Sequence, residues 1–135
     1  MADLSIPETH RDLLDTDTAV LATIGPDGRP QLSAIWFLAD ADQIRTSLST
    51  ARQKVRNLRA NPAATLFILD PARPSRYLEI RGDVVLEDDP DYEFAGLLGA
   101  KYDADLRAYD GPGAKRLVVT LRPTRINAVD MEAGH

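Results

Sequence analysis

The chain has 135 residues, of which 44% are hydrophobic and 27% charged, as is typical of one globular domain, which we assign to residues 1–135. The 16 Lys and Arg residues against 21 Asp and Glu give a net charge of -5, which argues against a protein whose whole surface binds nucleic acid. No cysteine is present, and His10 and His135, the two histidines, lie near opposite ends, so we expect neither a disulfide nor a bound metal. No signal peptide is recognisable and no apolar stretch approaches the roughly 20 residues that cross a bilayer, so we expect a cytoplasmic protein that does not bind membranes.

Strands dominate the first part of the predicted fold. After a short helix over residues 7–14, residues 19–24 form an apolar strand, and Gly-Pro-Asp-Gly at residues 25–28 predicts a turn that reverses it. A turn at residues 40–42 leads into a further strand over residues 43–48. Between these turns, the return strand over residues 31–38 alternates, and one of its faces is formed by Leu32, Ala34, Trp36 and Leu38.

Two helices interrupt the strands. The first is predicted over residues 51–60, because Thr50 and Gln53 match the capping box Ser/Thr-x-x-Glu/Gln and a proline at position 62 ends the helix. The second is predicted over residues 90–102, with Asp89 as its N-cap. Its apolar face is formed by Phe94, Leu97, Leu98 and Tyr102.

The remaining strands complete a mainly β fold with minor α. Residues 63–69 form a strand that looks buried, and residues 77–87 form another, in which Gly82 indicates a bulge or bend. Residues 116–122 and 125–129 finish the sheet. Short strands joined by hairpins, with helices between them, predict an antiparallel barrel of about six to seven strands with two or three helices.

The charges are segregated along the chain. Residues 46–69 contain no acidic residue, and five cations lie in or beside this segment: Arg45, Arg52, Lys54, Arg56 and Arg59. In an acidic protein, this indicates a positive patch that captures an anionic small molecule. Cations at a helix start are disfavoured by about 0.3 to 1 kcal/mol each, so Arg52 and Lys54 are explained if a phosphate or carboxylate binds there.

Hydroxyl groups before the helix support this interpretation. Ser47, Ser49 and Thr50 could donate to a phosphate, although such residues also serve for capping alone. An ordinary solvated helix face is the alternative explanation for the basic residues. The segment at residues 111–115 lacks the spacing of a phosphate-binding loop, and we interpret it as a plain loop.

The order of these motifs resembles that of a known family. It comprises the hairpin Leu-Ala-Thr-Ile-Gly-Pro-Asp-Gly-Arg-Pro-Gln at residues 21–31, Ser33, Arg-Gln-Lys-Val-Arg-Asn-Leu at residues 52–58, Asn61-Pro62 and residues 77–82. From about residue 12 to residue 129 the chain resembles the split β-barrel flavoproteins related to pyridoxamine 5'-phosphate oxidase, and more closely their short branch that binds the deazaflavin coenzyme F420. The resemblance implies a homodimer of split antiparallel β-barrels with the cofactor at the subunit interface.

The resemblance also implies which residues bind the cofactor. Lys54 would be the principal phosphate ligand, and no residue is expected to be a dedicated catalytic group. The other predicted contacts around the phosphate are Ser47, Ser49, Thr50, Arg52, Gln53, Val55, Arg56 and Asn57. Val20 and Pro26 would line the cofactor ring, and Arg76 and Tyr77 would lie beside the ring or the tail.

The implied activity is that of an oxidoreductase which transfers a hydride from reduced F420 to a small reducible organic molecule. Five cations suit the oligoglutamate tail of F420, and FMN is the alternative cofactor. The sequence ends shortly after Ile126, without the further segment that resembles the oxidase's pyridoxal-phosphate site, so we do not expect pyridoxamine phosphate oxidation. A non-catalytic protein that binds a flavin, haem or other anionic ligand is the alternative from another functional class.

Several aromatic side chains have two interpretations. Trp36, Phe37 and Tyr77 could form the wall of a planar substrate site, or they could pack in the core or at a dimer contact. Tyr102 and Tyr109 could donate protons, or they could pack a loop against the barrel.

Overall fold

The computed structural model describes residues 4–40 and 43–132 of the chain. Its strands are β1 (Ala19–Ile24), β2 (Pro30–Ile35), β3 (Leu38–Asp40), β4 (Gln43–Ser49), β5 (Ala63–Leu69), β6 (Arg76–Asp88) and β7 (Arg116–Asp130). Its helices are α1 (Gln53–Ala60) and α2 (Glu93–Lys101), with 3-10 helices at Glu8–Asp15 and Leu106–Tyr109. The mainly β fold is therefore confirmed, whereas His135 and two residues of the turn predicted at 40–42 lie outside the described residues.

The strands form one antiparallel sheet that curls on itself. Its order is β2-β1-β5-β6-β7-β4-β3, so that β2 and β3 are its two edges. These edges are nevertheless consecutive in the chain, because only Trp36 and Phe37 separate them. Two residues can join opposite edges only if the sheet bends until the edges are close together. The predicted split barrel is confirmed.

The crossing at Trp36 and Phe37 corrects the prediction of one strand over residues 31–38. Here the backbone crosses from edge strand β2 to edge strand β3. Backbone N–H and C=O groups at the crossing have no partner on a neighbouring strand, and side chains form hydrogen bonds with them instead. Thr46 Oγ1 donates to the Trp36 carbonyl at 2.6 Å, and the Tyr102 hydroxyl accepts from the Phe37 N–H at 3.1 Å. Lys101 Nζ donates to the Phe37 carbonyl at 2.9 Å. Three side chains, one from β4 and two from the end of α2, thus fix the crossing between the two edges.

The bulge predicted at Gly82 is confirmed. The register between β6 and β7 shifts between Arg81 and Gly82. A Cβ atom at Gly82 would lie 2.1 Å from the Arg122 carbonyl oxygen, so a larger residue would collide with the backbone of β7. The two segments predicted at 116–122 and 125–129 are one strand, β7, which continues through this irregularity.

The second helix begins three residues later than predicted. Tyr92 has a left-handed backbone with φ 57°, and α2 begins after it at Glu93. The Asp89 carboxylate still accepts hydrogen bonds from the first N–H groups of α2, at 3.2 Å from Phe94 and 2.9 Å from Ala95. Leu97 does not face the core as predicted, because 55% of its surface is exposed. Within the described residues, no helix is long and apolar enough to span a membrane.

Candidate functional site

The start of α1 differs from the prediction in a way that leaves donors free. The predicted capping box does not form. The Thr50 N–H donates to the Lys115 carbonyl at 2.9 Å, and the helix begins only at Gln53. The Gln53 side chain binds Asn57 at 2.8 Å and Arg56 instead of the helix start. The Val55 and Arg56 N–H groups donate to the Arg52 carbonyl, whereas within residues 4–40 and 43–132 the N–H groups of Gln53 and Lys54 have no acceptor. These donors are therefore available to an anion.

A buried polar cluster fixes α1 on the first hairpin. Asn57 Nδ2 donates to Thr23 Oγ1 at 3.0 Å and to Gln31 Oε1 at 2.9 Å. The side-chain oxygen of Asn57, Oδ1, accepts a hydrogen bond from the Gln53 side chain. Asn57 and Thr23 are both buried. Because unsatisfied buried polar groups are costly, this cluster sets both the position and the rotation of the helix.

A cavity of about 280 Å³ adjoins the start of α1. We call it the anion cavity. One part of its wall is polar and the other is apolar or aromatic. The polar part comprises Thr46, Ser47, Ser49, Arg52, Lys54 and Arg116, and the other part comprises Ala34, Ile35, Trp36, Leu48, Leu98, Leu106 and Tyr109.

Two cations of the anion cavity have no carboxylate partner. Lys54 Nζ donates to Ser33 Oγ at 2.8 Å, and within residues 4–40 and 43–132 neither Lys54 nor Arg52 forms an ion pair. Burial, reinforced by the neighbouring charge of Arg52, lowers the pKa of Lys54. An anion between the two side chains would offset both the burial of the Lys54 charge and its repulsion by Arg52. The electrostatics therefore favour anion binding here.

The third cation, Arg116, is neutralised. Its guanidinium binds both carboxylate oxygens of Asp110, at 2.8 and 2.9 Å, and Nη1 also donates to Ser47 Oγ and to the Ser47 carbonyl at 3.3 Å. The Tyr92 hydroxyl donates to the same carboxylate at 2.6 Å. Hydrogen bonds from Arg116 and then from Tyr92 hold the pKa of Asp110 below its ordinary value. Asp110 thus stays charged and buried behind the cavity wall.

Comparison with known proteins identifies the fold family. The family model described as Pyridoxamine 5'-phosphate oxidase matches residues 6–130. The chain belongs to the pyridoxamine 5'-phosphate oxidase family. A solved structure named F420 Reductase is 40% identical, with a TM-score of 0.81, and the match covers 90% of this chain and 98% of that chain.

Two further solved structures share this fold. A conserved hypothetical protein from Mycobacterium tuberculosis is 25% identical, with a TM-score of 0.73 and coverage of 96% of this chain and 88% of that chain. A heme storage protein from Vibrio cholerae is 16% identical, with a TM-score of 0.73 and coverage of 93% and 96%, and this match shows the fold alone. Membership of a family that is named after an oxidase supports the prediction that this protein is an oxidoreductase.

In this member of the pyridoxamine 5'-phosphate oxidase family, the predicted phosphate-binding residues divide into two groups. Ser47, Ser49, Arg52 and Lys54 come together in the anion cavity. Val55 is wholly buried and offers no side-chain surface to a ligand. Gln53, Arg56 and Asn57 bind one another or the hairpin, and Thr50 lies in the turn before the helix.

The four predicted ring and tail residues lie elsewhere. Val20 and Tyr77 are on the outer face of the barrel, where each approaches Phe67: Val20 is its strand partner, and the Tyr77 ring centroid lies 5.0 Å from that of Phe67. Pro26 is exposed in the hairpin turn. Arg76 binds the Asp70 carboxylate at 2.9 Å and also that of Asp12. None of the four lines the anion cavity.

The structure distinguishes aromatic side chains that line the anion cavity from those that only pack in the interior. Phe37 is wholly buried and cannot wall a substrate site. Trp36 lines the anion cavity and stacks on Tyr102, with ring centroids 4.3 Å apart. The Tyr102 hydroxyl is engaged by the Phe37 backbone, and burial raises the pKa of Tyr102, so packing explains this residue. Tyr109 lines the cavity and is 68% exposed.

Sequence reasoning missed Arg116 and overestimated the number of cations at the site. Arg116 is distant from α1 in the sequence, and only the pairing of Arg116 with Ser49 between β7 and β4 brings it to the cavity. Arg45 instead lies 4.6 Å over the Phe94 ring, and Arg59 is exposed at the other end of α1. His10 is buried, with Nε2 2.9 Å from the Val129 carbonyl. The described residues contain no cluster of three His, Asp or Glu that could hold a metal.

Proposed function

We propose that the protein is an oxidoreductase that binds coenzyme F420 and transfers a hydride from its reduced form to a small reducible organic molecule. The observation that carries the proposal is the pair of cations without carboxylate partners, Arg52 and Lys54, at an uncapped helix start. The 40% identity to a structure named F420 Reductase, over 90% of this chain, supports F420 as the cofactor.

The donors of the anion cavity suit the phosphate of such a cofactor. Lys54 and Arg52 supply charge, and Ser47 and Ser49 supply hydroxyl groups. The N–H groups of Gln53 and Lys54, at the start of α1, supply uncharged donors. When bound, the deazaflavin would supply the hydride chemistry. The protein would anchor and orient the cofactor, and it needs no dedicated acid or base for that role.

We also propose a homodimer. Half-buried or exposed apolar side chains spread over the outer face of β1, β2, β5 and β6: Val20, Leu32, Phe67, Leu69 and Tyr77. A second copy that covers this face would bury them and would bring Val20, Pro26 and Tyr77 into an interface, where the cofactor ring is expected. Light scattering after gel filtration should then give about twice the mass of one chain.

The decisive experiment is a titration of the apo-protein with oxidised F420 and, in parallel, with FMN, at two salt concentrations. F420 should bind more tightly, and its affinity should fall at the higher salt concentration, because charge contributes to binding. A preference for FMN would favour the FMN-dependent alternative. Binding of neither cofactor below about 1 mM would refute both cofactor assignments, since this affinity corresponds to only about 4 kcal/mol.

The non-catalytic alternative requires a separate experiment. If the protein is an enzyme, loss of reduced F420 should accelerate when a panel of activated alkenes, quinones and nitroaromatics is offered as acceptor. Tight F420 binding without turnover of any acceptor would favour a protein that only binds or stores the cofactor. The cytoplasmic location and the absence of nucleic-acid partners remain predictions from the sequence.

A further inference from the structure

Asp110 lies behind the wall of the anion cavity, between the 3-10 helix Leu106–Tyr109 and β7. The side chains of Asp110 and its partner Arg116 are only 8% and 11% exposed. The partner guanidinium lines the cavity and also reaches Ser47, which lines it as well. The charge on Asp110 is therefore close to any ligand that Arg116 could touch.

The turn before α1 brings Arg52 towards this pair. The Thr50 N–H donates to the Lys115 carbonyl at 2.9 Å, immediately before Arg116 in the chain. Arg52 follows two residues later, and its charge lowers the pKa of Asp110, although less than the hydrogen bonds from Arg116 and Tyr92 do. The Asp110 carboxylate thus interacts with two of the three cations of the anion cavity, with Arg116 through hydrogen bonds and with Arg52 through its charge alone.

We propose that Asp110 is a specificity-determining residue of the anion cavity: by neutralising Arg116, it limits the free positive charge to that of Arg52 and Lys54. The consequence is selectivity for ligand charge. With Asp110 present, the cavity suits a phosphate group, and without its charge the cavity would favour more highly charged anions. This inference rests on the anion-binding part of the proposed function but not on which cofactor binds.

The test compares inorganic phosphate with pyrophosphate at constant ionic strength. Trp36 is the one tryptophan in the sequence and lines the anion cavity, so its fluorescence reports binding. The measured quantity is the ratio of the affinity for pyrophosphate to the affinity for phosphate. Asp110→Asn should raise this ratio about threefold or more, because it frees the charge of Arg116.

Three further variants separate the effect of charge from that of structure. Arg116→Gln should lower the ratio, because it leaves the Asp110 carboxylate without its cation. The double variant Asp110→Asn with Arg116→Gln should return the ratio to that of the wild type, since it removes one charge of each sign. Tyr92→Phe removes a hydrogen bond to the same carboxylate without changing charge, so the ratio should not change.

The outcomes separate this inference from the proposed function. The inference would be overturned if the wild type, Asp110→Asn and Arg116→Gln had equal affinity ratios. It would also be overturned if Tyr92→Phe changed the ratio as much as Asp110→Asn does. If Asp110→Asn does not fold, the fall in Arg116→Gln and its reversal in the double variant still decide the question. Failure of F420 and FMN to bind a wild type that does bind phosphate would count against the proposed function alone.

Discussion

Lys54 Nζ lies 2.8 Å from the hydroxyl oxygen of Ser33, so the first turn of α1 is tied to the edge strand β2 beside the anion cavity. Serine is uncharged, and the charge of Arg52 repels the ammonium group. The hydrogen bond therefore orients Lys54 without compensating its charge. This arrangement fits a side chain whose counterion is supplied by a ligand.

The first prediction concerns the contribution of Lys54 to cofactor affinity. In Lys54→Ala, F420 binding should weaken by about 1.5 to 3 kcal/mol, because a charge-assisted hydrogen bond to phosphate is lost. Fluorescence titration gives the affinity, and urea unfolding should show nearly unchanged stability. Arg59→Ala removes an exposed cation from the last turn of the same helix and should leave the affinity unchanged. Equal losses in both variants would contradict a specific role for Lys54.

The second prediction concerns pH. Burial and then the charge of Arg52 lower the pKa of Lys54 below its ordinary value of 10.5. The protonated form binds the anion, so affinity should be highest below this lowered pKa and should fall as the pH rises through it. Because arginine does not titrate in this range, Lys54→Arg should retain affinity to higher pH. Identical pH profiles for the two proteins would show that another group controls binding.

The third prediction concerns the polar cluster under α1. Asn57→Ala leaves Thr23 and Gln31 without their shared donor, so the free energy of unfolding should fall by about 1 to 3 kcal/mol. Urea unfolding of this variant, of Gln31→Ala and of the double variant completes a mutant cycle. The two effects should be non-additive by about 0.5 kcal/mol or more, because the side chains touch. Simple additivity would mean that Asn57 and Gln31 stabilise the fold independently.

The sequence predicted the strands well because their apolar alternation and turn residues are local signals. The bulge at Gly82 was predictable for the same reason. The capping box failed because Thr50 is at the end of a strand pairing with β7, and a four-residue motif carries no information about that long-range bond. The prediction of one unbroken strand over residues 31–38 failed for a similar reason. The apolar alternation continues through Trp36, and only the closed topology of the sheet requires the chain to cross there from one edge to the other.

The candidate site was predictable where it depends on α1 alone. Arg52 and Lys54 lie where an acid-free segment meets a helix start, and both signals are in the sequence. The contribution of Arg116 depends on the register between β4 and β7, and its neutralisation depends on Asp110 in a loop. Neither follows from composition or spacing, because both contacts join segments that are distant in the chain.

The fourth prediction compares two glycines. Gly82→Ala should destabilise the protein by about 1 to 3 kcal/mol, because its Cβ would collide with the Arg122 carbonyl. Gly96 is in the interior of α2, and a Cβ there would meet nothing within 4 Å. Gly96→Ala should therefore stabilise the protein by about 0.5 to 1 kcal/mol through helix propensity. Urea unfolding of both variants checks the signs, and destabilisation of equal size would refute the distinction.

The fifth prediction concerns acid stability and Arg76. This side chain is 13% exposed and binds Asp12, Asp70 and the Thr9 carbonyl, so that it ties the first 3-10 helix to β6. Its hydrogen bond is the main cause that lowers the pKa of Asp12, while for Asp70 the Ala72 N–H comes first and Arg76 adds to it. A lowered carboxyl pKa in the folded protein contributes stability above the unfolded pKa of about 3.9, and this contribution is lost as the pH falls through the lowered value.

Arg76→Gln should therefore lower the melting temperature at pH 7, and the difference from the wild type should shrink as the pH falls below about 4. Arg81→Gln is the matched control, because it removes an arginine of the same strand whose side chain, paired with Glu79, is 54% exposed, against 13% for Arg76. Its effect at pH 7 should be smaller, since an exposed ion pair contributes little to stability. Calorimetric melting between pH 2 and pH 7 measures both, and a difference for Arg76→Gln that does not depend on pH would mean that packing of the side chain, and not its ion pairs, stabilises the fold.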